Sequence, residues 1–279
     1  MSKTIGVIHP GEMGAGVAGA LVSSGNTGMW ASEGRSEDTK RRAKEVGLVD
    51  VGDLATLIER CEIILSICPP HAALDVARDV SVFKGVYVDA NAISPAHASE
   101  VAAIVEGGGA SYVDGGIIGA PPPADSTWAF FSGTGAADIA TLFRDAEIKT
   151  SLLEQQGPFA ASATKMSYAG WNKGTLAMML GIRAMAKANG VEETLLEVWT
   201  ATAPDLLKVG RRAAFNAEDR GWRWDGEMWE IAATFIDAGL PGGFHEAAAE
   251  IYSRVPRKMD ATVDDATLTE VLDLILRRV

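Results

Sequence analysis

Three features of the chain predict an α/β fold, a doubly wound parallel sheet followed by an all-α region that a long helix joins to it. The first is the stretch Thr4-Ile5-Gly6-Val7-Ile8-His9-Pro10-Gly11-Glu12-Met13-Gly14, a β-branched strand that runs into glycines and then into the small-residue segment Ala15 to Val22. The second is the alternation of strand-like and helix-like runs as far as about residue 153. The third is a stretch from Phe159 to Asn189 without a proline or a turn cluster, after which every segment reads as helix. Alternation of this kind marks parallel sheets, because parallel neighbours need a crossover between them.

Composition narrows the classes of function. Of 279 residues, 47% are hydrophobic and 22% charged, enough apolar material for a sizeable core. A net charge of −12 argues against nucleic acid or an anionic membrane as partner. The two cysteines, Cys61 and Cys68, flank one strand, so neither a disulfide framework nor a metal site is expected. No basic-then-apolar leader opens the chain, and no apolar run approaches the roughly 20 residues of a membrane span. The expectation is a cytoplasmic protein with a small-molecule partner.

The opening stretch has the order a dinucleotide site requires. Glycines let the backbone turn tightly beside a pyrophosphate, and the helix N-terminus offers N–H groups to its charge. His9, Pro10, Gly11, Glu12, Met13 and Gly14 are therefore candidate cofactor residues of a Rossmann-type sheet, with His9 standing where the first glycine of the fingerprint is usual. A second strand, Thr27 to Ala31, leads into Ser32-Glu33-Gly34-Arg35-Ser36. At this tip an acid suits the ribose hydroxyls of NAD and an arginine suits the 2′-phosphate of NADP. Arg35 can fork onto that phosphate with Ser32 and Ser36 beside it, which favours NADP; Glu33 is the residue that would serve NAD.

The remaining elements follow in order. Asp53 to Arg60 reads as a helix, and Glu62 to Cys68 as a strand. Pro69 and Pro70 end that strand, and with Cys68 they bend the chain over the cofactor crevice. A helix follows from His71 to Val80. Val86 to Asp89 is a strand with Asn91 at its carboxyl end, where ligands bind in open sheets. Ser94 and Pro95 then read as the N-cap and first residue of a helix. Ser111 to Ile118, with Gly119 after it, Trp128 to Ser132, and Lys149 to Leu153 complete the sheet. Gly157-Pro158 breaks the pattern, which divides the chain into a dinucleotide-binding domain, 1–158, and an all-α substrate and dimerisation domain, 159–279. The helix from Phe159 to Asn189 would span about 45 Å. Beyond it the helices expected are Glu192 to Ala201, Pro204 to Phe215, Gly226 to Ala238, Gly242 to Arg254 and Asp265 to Arg278.

At this point the chain resembles the β-hydroxyacid dehydrogenases, the superfamily of the 6-phosphogluconate and 3-hydroxyisobutyrate dehydrogenases. Pro10-Gly11-Glu12-Met13-Gly14 is similar to the family's cofactor loop. Asp89-Ala90-Asn91 through Pro95 is similar to its substrate-side loop, with Asn91 where a serine is more common. Asp114 to Ala120 resembles a third motif, with Gly116, Ile118 and Ala120 in place of its Pro, Ser and last Gly. Lys165, eight residues after Gly157, takes the position of the family's catalytic lysine. Ala169 replaces the asparagine expected one turn later, and Asn172 lies one turn further along the same face. The C-terminal half, with Glu227 to Ala232, is similar to a branch related to the 6-phosphogluconate dehydrogenase C-terminal domain.

The resemblance implies hydride transfer between a secondary alcohol and a nicotinamide, which needs a group to manage the hydroxyl proton. A lysine near the start of a mostly apolar helix can take that proton and return it. Asn91, Ile118, Gly119, Asn172 and His245 are the substrate-side candidates, although a structural role for His245 is the commoner one. The resemblance also implies a homodimer with interlocked helical domains. Two other readings are carried. One is an imine reductase, against which Lys165 tells; the other is a non-catalytic NADP-binding sensor, kept by His9 and Ala169.

Overall fold

A computed structural model describes residues 2–277, so the expected helix end at Arg278 lies outside the described residues. The chain divides into two compact units, Met1–Met166 and Ser167–Val279. In the first unit the elements run β1 (Thr4–Ile8), α1 (Glu12–Ser23), β2 (Thr27–Trp30), α2 (Glu37–Glu45), β3 (Val49–Asp50), α3 (Leu54–Arg60), β4 (Ile63–Ser66), α4 (Ala73–Asp79), β5 (Val86–Asp89), α5 (Pro95–Gly108), β6 (Ser111–Ile118), β7 (Trp128–Ser132), α6 (Ala136–Asp145) and β8 (Lys149–Leu152). Among the described residues these strands form one eight-stranded sheet in the order β3-β2-β1-β4-β5-β6-β7-β8. Ser94 caps α5 by accepting from the backbone N–H of His97, with Pro95 in the first helical position, as the sequence suggested.

The inner strands β1, β4, β5 and β6 bury both faces, which is why they read as continuous apolar runs rather than alternating ones. Along β1, Ile5 and Val7 join one core with Val17 and Leu21 of α1 and Phe143 of α6. Ile8 turns to the opposite core, with Leu57 of α3, Val76 of α4 and Val101 of α5. Tyr87 and Val88, then Tyr112 and Val113, divide between the two faces in the same way. Each such burial contributes about 1.5–3 kcal/mol, so the double winding follows from where these residues find cover.

The expected doubly wound sheet is present and mostly parallel, with one antiparallel pair among the described residues: β6 and β7, which set Asp114 opposite Ser132 and Ile118 opposite Trp128. The connection between them contains Pro121-Pro122-Pro123, which cannot form the crossover helix a parallel partner would require. The expected helices Pro204 to Phe215 and Gly226 to Ala238 are one helix. In the second unit, which α7 (Ala160–Ala188) enters from the first, the elements are α8 (Glu192–Thr202), α9 (Asp205–Asp237), α10 (Gly243–Ser253) and α11 (Asp265–Leu276). Glycine costs a helix only about 1 kcal/mol. Burial of Ala217 and Trp224 between the two expected helices outweighs it, with Trp224 edge-on to Tyr252 of α10 at 5.4 Å between ring centroids.

Candidate cofactor and catalytic site

The candidate site of the first unit lies at the carboxyl ends of β1, β4, β5 and β6. The strand order reverses between β1 and β4, the place where open α/β sheets bind ligands. His9 follows β1 with φ of 58°, in the left-handed region. That conformation is the physical reason a glycine is usual there, and histidine is among the residues that tolerate it. A Cβ on Gly14 would stand 3.1 Å from the His9 carbonyl oxygen, so glycine lets α1 begin tight against the turn. No side chain caps α1, which leaves its N-terminus suited to an anion.

Arg35 Nη1 lies 2.7 Å from His9 Nδ1. A guanidinium only donates, so Nδ1 carries the lone pair. Burial, and secondarily the Arg35 charge, push the imidazole down to about 4 and keep it neutral near pH 7. Ser36 caps α2, its Oγ accepting from Thr39 N at 3.3 Å. Gly11, Arg35, Ser36, Thr39, Ile67 and Pro69 line a cleft of about 330 Å³. Arg35 also lines a smaller cleft of about 180 Å³ with Ala31, Glu33 and Leu54. A dinucleotide phosphate fits this donor set: an uncapped helix start, a glycine cradle and a fixed guanidinium. Of the other residues named for the cofactor, Pro10 is buried and accepts weakly from Arg42 at 3.4 Å, Glu12 is exposed in the first turn of α1, and Met13 is half-buried.

Asn91 is buried and spends its side chain on the scaffold. Its Oδ1 accepts from Cys68 N at 2.6 Å and its Nδ2 donates to Ser66 Oγ at 3.2 Å, which ties the turn after β4 to the end of β5. The Cys68 thiol is pushed up to about 12, first by burial and then by Asp89, so it is no nucleophile. Pro70 is buried at the start of a short 3-10 turn, and Pro69 stays exposed on the cleft.

Asp89 and Asp114 pair across β5 and β6, and both are buried. Burial raises Asp89 to about 7 even though it accepts from Asn91 N, and Asp114 beside it adds to the rise. Burial raises Asp114 to about 6 against the hydrogen bonds it receives. A carboxyl raised in the folded state stabilises fully below its unfolded value, near 4, and loses that contribution as pH climbs through the folded value. Wild-type stability should therefore fall between about pH 4 and 7. Asp89→Asn keeps an acceptor for Asn91 N and should flatten the decline, raising Tm at pH 8 by about 5 °C in thermal melts.

Asp114 also begins the side of the candidate site that holds Lys165. It accepts from Ser162 N at 2.9 Å, Ser162 Oγ at 2.5 Å and Ser132 Oγ at 2.9 Å. Ser132 Oγ in turn accepts from Ala161 N at 3.0 Å. The two side chains cap the first turn of α7, where a negative charge suits the helix dipole. One turn on, the half-buried Lys165 donates from Nζ to the Ile117 carbonyl at 2.6 Å. A Cβ on Gly116 would stand 2.8 Å from Ala161 O and 3.3 Å from Lys165 Cβ, so glycine lets α7 lie directly on β6. These contacts put the first turns of α7 in the first unit, beyond the expected junction at 158. Ile118 is buried and Gly119 exposed just past Lys165's acceptor.

In the second unit, Asn172 is half-buried on α7 and His245 is buried. His245 Nε2 sits 3.3 Å from Gly170 O, its ring lies 4.5 Å from that of Phe235, and burial lowers its pKa. Sequence reasoning missed the Asp114–Ser132–Ser162 cap and the His9–Arg35 pair. The cap had a trace, Ser162 three residues ahead of Lys165; the pair had none.

Residues 4–93 match the family described as NADP oxidoreductase coenzyme F420-dependent, and residues 186–255 match a domain of unknown function (DUF1932). An uncharacterized 28.5 kDa protein from the 7S RNA 5′ region of Methanothermus fervidus is 29% identical over 171 residues, spanning 61% of this chain and 66% of that protein. A conserved hypothetical protein from Sinorhizobium meliloti superposes with a TM-score of 0.71 at 24% identity, covering 99% of this chain and 97% of that one. The 3-hydroxyisobutyrate dehydrogenase of Mycobacterium tuberculosis, solved with L-serine, gives a TM-score of 0.71 at 16% identity over 99% and 100%. An imine reductase from Pseudomonas sp. gives 0.55 at 17% over 91% and 93%. Among the described residues no helix is long and apolar enough to cross a membrane. One family match falls in each unit, and the solved structures share the fold, a Rossmann-type sheet followed by a C-terminal helical region.

Proposed function

We propose that the protein is an NADP-dependent oxidoreductase that interconverts a small hydroxy acid, or a related alcohol, and its carbonyl form. The observation that carries this is Lys165, held by the Ile117 carbonyl at the carboxyl end of the sheet that also carries the cofactor cleft. NADP, when bound, supplies the acceptor for the hydride that leaves the alcohol carbon. Lys165 acts as general base, drawing the hydroxyl proton onto Nζ as the carbonyl forms, and returns it in the reverse direction. Its hydrogen bond to Ile117 O fixes the amine and limits the geometry it must find at the moment of transfer. Arg35 and Ser36 meet the 2′-phosphate, and the start of α1 meets the pyrophosphate. Asn91 acts through the backbone it holds, while Ile118 and Gly119 are the first unit's substrate-side candidates and Asn172 and His245 the second unit's.

The second reading, an NADPH-dependent imine reductase, is favoured by Ile118 and Ala169, which are apolar where the resembled family has groups that grip a carboxylate. One panel separates the readings: NADP⁺ or NAD⁺ with hydroxy acids and alcohols, and the reduced cofactors with ketones and cyclic imines. Alcohol oxidation linked to NADP⁺ supports the dehydrogenase. Imine reduction alone replaces it with the second reading, and cofactor binding without turnover points to a sensor.

The protein is proposed to act in the cytoplasm as a homodimer joined through its helical region. Trp171, Met178 and Met185 stand exposed at seven-residue spacing on α7, and Trp222, Trp229 and Ile236 do the same on α9. Apolar stripes of this kind on a soluble chain call for a partner, and a second copy offers matching ones. Sedimentation at micromolar concentration should show a dimer, and Trp229→Glu should shift it to monomer. A wild-type monomer would remove the proposal.

A further inference from the structure

The structure assigns His9 a role of its own, and we propose that it is the positioning residue for cofactor discrimination, its Nδ1 lone pair holding the Arg35 guanidinium at the 2′-phosphate end of the cleft. This rests on the NADP reading given above. A glycine would occupy the left-handed position after β1 without strain, so a histidine there stands against the backbone's own preference. Its compensating contact is the 2.7 Å bond to Arg35 Nη1 across 26 residues of sequence. That bond uses one of the guanidinium's five N–H donors and leaves the rest of the fork for a phosphate.

A long arginine side chain loses rotamer freedom whenever it grips a ligand. Held beforehand by His9, Arg35 loses less on binding, and the gain falls only on a cofactor that carries a 2′-phosphate. His9 is suited to this because it is half-buried and uncharged, so it accepts from the arginine rather than repelling it. The remaining lining groups on that side, Ser36 and Thr39, are hydroxyls beside the same cleft. They can donate to a phosphate but cannot fix the guanidinium's direction from the β1 side.

The test is equilibrium binding of NADPH and of NADH, followed by the fluorescence of the reduced nicotinamide without substrate. Wild type, His9→Gly, His9→Asn and Arg35→Ala are compared. His9→Gly relieves the backbone and removes the imidazole with its acceptor, while His9→Asn keeps an acceptor in the same place. His9→Gly should weaken NADPH about tenfold while leaving NADH within about twofold. Asparagine tolerates the left-handed backbone and offers an acceptor oxygen, so His9→Asn should recover much of the loss. If His9→Gly weakens both cofactors equally, or neither, while Arg35→Ala still weakens NADPH selectively, the role of His9 is overturned and the NADP reading stands. Should wild type bind NADH as tightly as NADPH, the NADP reading itself fails and takes the proposal with it.

Discussion

Lys165→Ala lowers kcat for alcohol oxidation by about 10³-fold and leaves NADPH affinity within about twofold of wild type. The lysine amine is the proton acceptor in the proposed reaction, and general-base contributions of this size are usual. Cofactor affinity is spared because the cleft is lined from the β1–α1 turn, the segment after β2, Thr39 of α2 and the turn after β4, not from α7. The loss should appear in kcat more than in KM, since the proton moves only as the reaction proceeds. Lys165→Arg should not restore turnover, because a guanidinium cannot give up its proton near neutral pH. The measurement is steady-state kinetics beside fluorescence titration of the reduced cofactor. Oxidation that survives both substitutions would take the proton-transfer role away from Lys165.

Asp114→Ala destabilises the first unit by about 3 kcal/mol and lowers kcat about tenfold in the protein that remains folded. The carboxylate accepts three hydrogen bonds from Ser162 and Ser132 in a fully buried position. Alanine leaves the two Ser162 donors without that acceptor, while Ser132 Oγ keeps the Pro158 carbonyl at 3.2 Å, and the cost of stranded buried polar groups exceeds what the bonds contribute while made. The second effect follows from the first, because the cap fixes the turn of α7 that carries Lys165. Asp114→Asn should fall between, since one amide oxygen accepts while the NH₂ group faces donors. Urea unfolding reads the stability, and amide exchange in the first turn of α7 reads the local loosening. Unchanged exchange at Ser162 to Lys165 would contradict the capping role.

The β1–glycine–α1 turn, the strands of the sheet and the long α7 were legible in the sequence because each rests on local pattern. A β-branched run with its following glycines, or a proline-free stretch of alanines and methionines, carries its period within a few residues. Arg35 and the position of His9 could be singled out for the same reason, each sitting beside a local landmark, whereas Lys165 was singled out by the family resemblance. The partners of these residues were not legible. His9 meets Arg35 across 26 positions, and Asp114 meets Ser162 and Ile117 meets Lys165 across 48. Such pairs exist only once the sheet brings the ends of β1, β2 and β6 to one edge. The unbroken α9 was hidden too, since its glycines read as a break until the burial of Trp224 and its neighbours is counted. Local periodicity by itself determined which elements form and where their chemical groups stand along the chain. Tertiary packing alone decided what those groups touch, because contact between distant positions depends on strand order and helix docking that no single segment encodes.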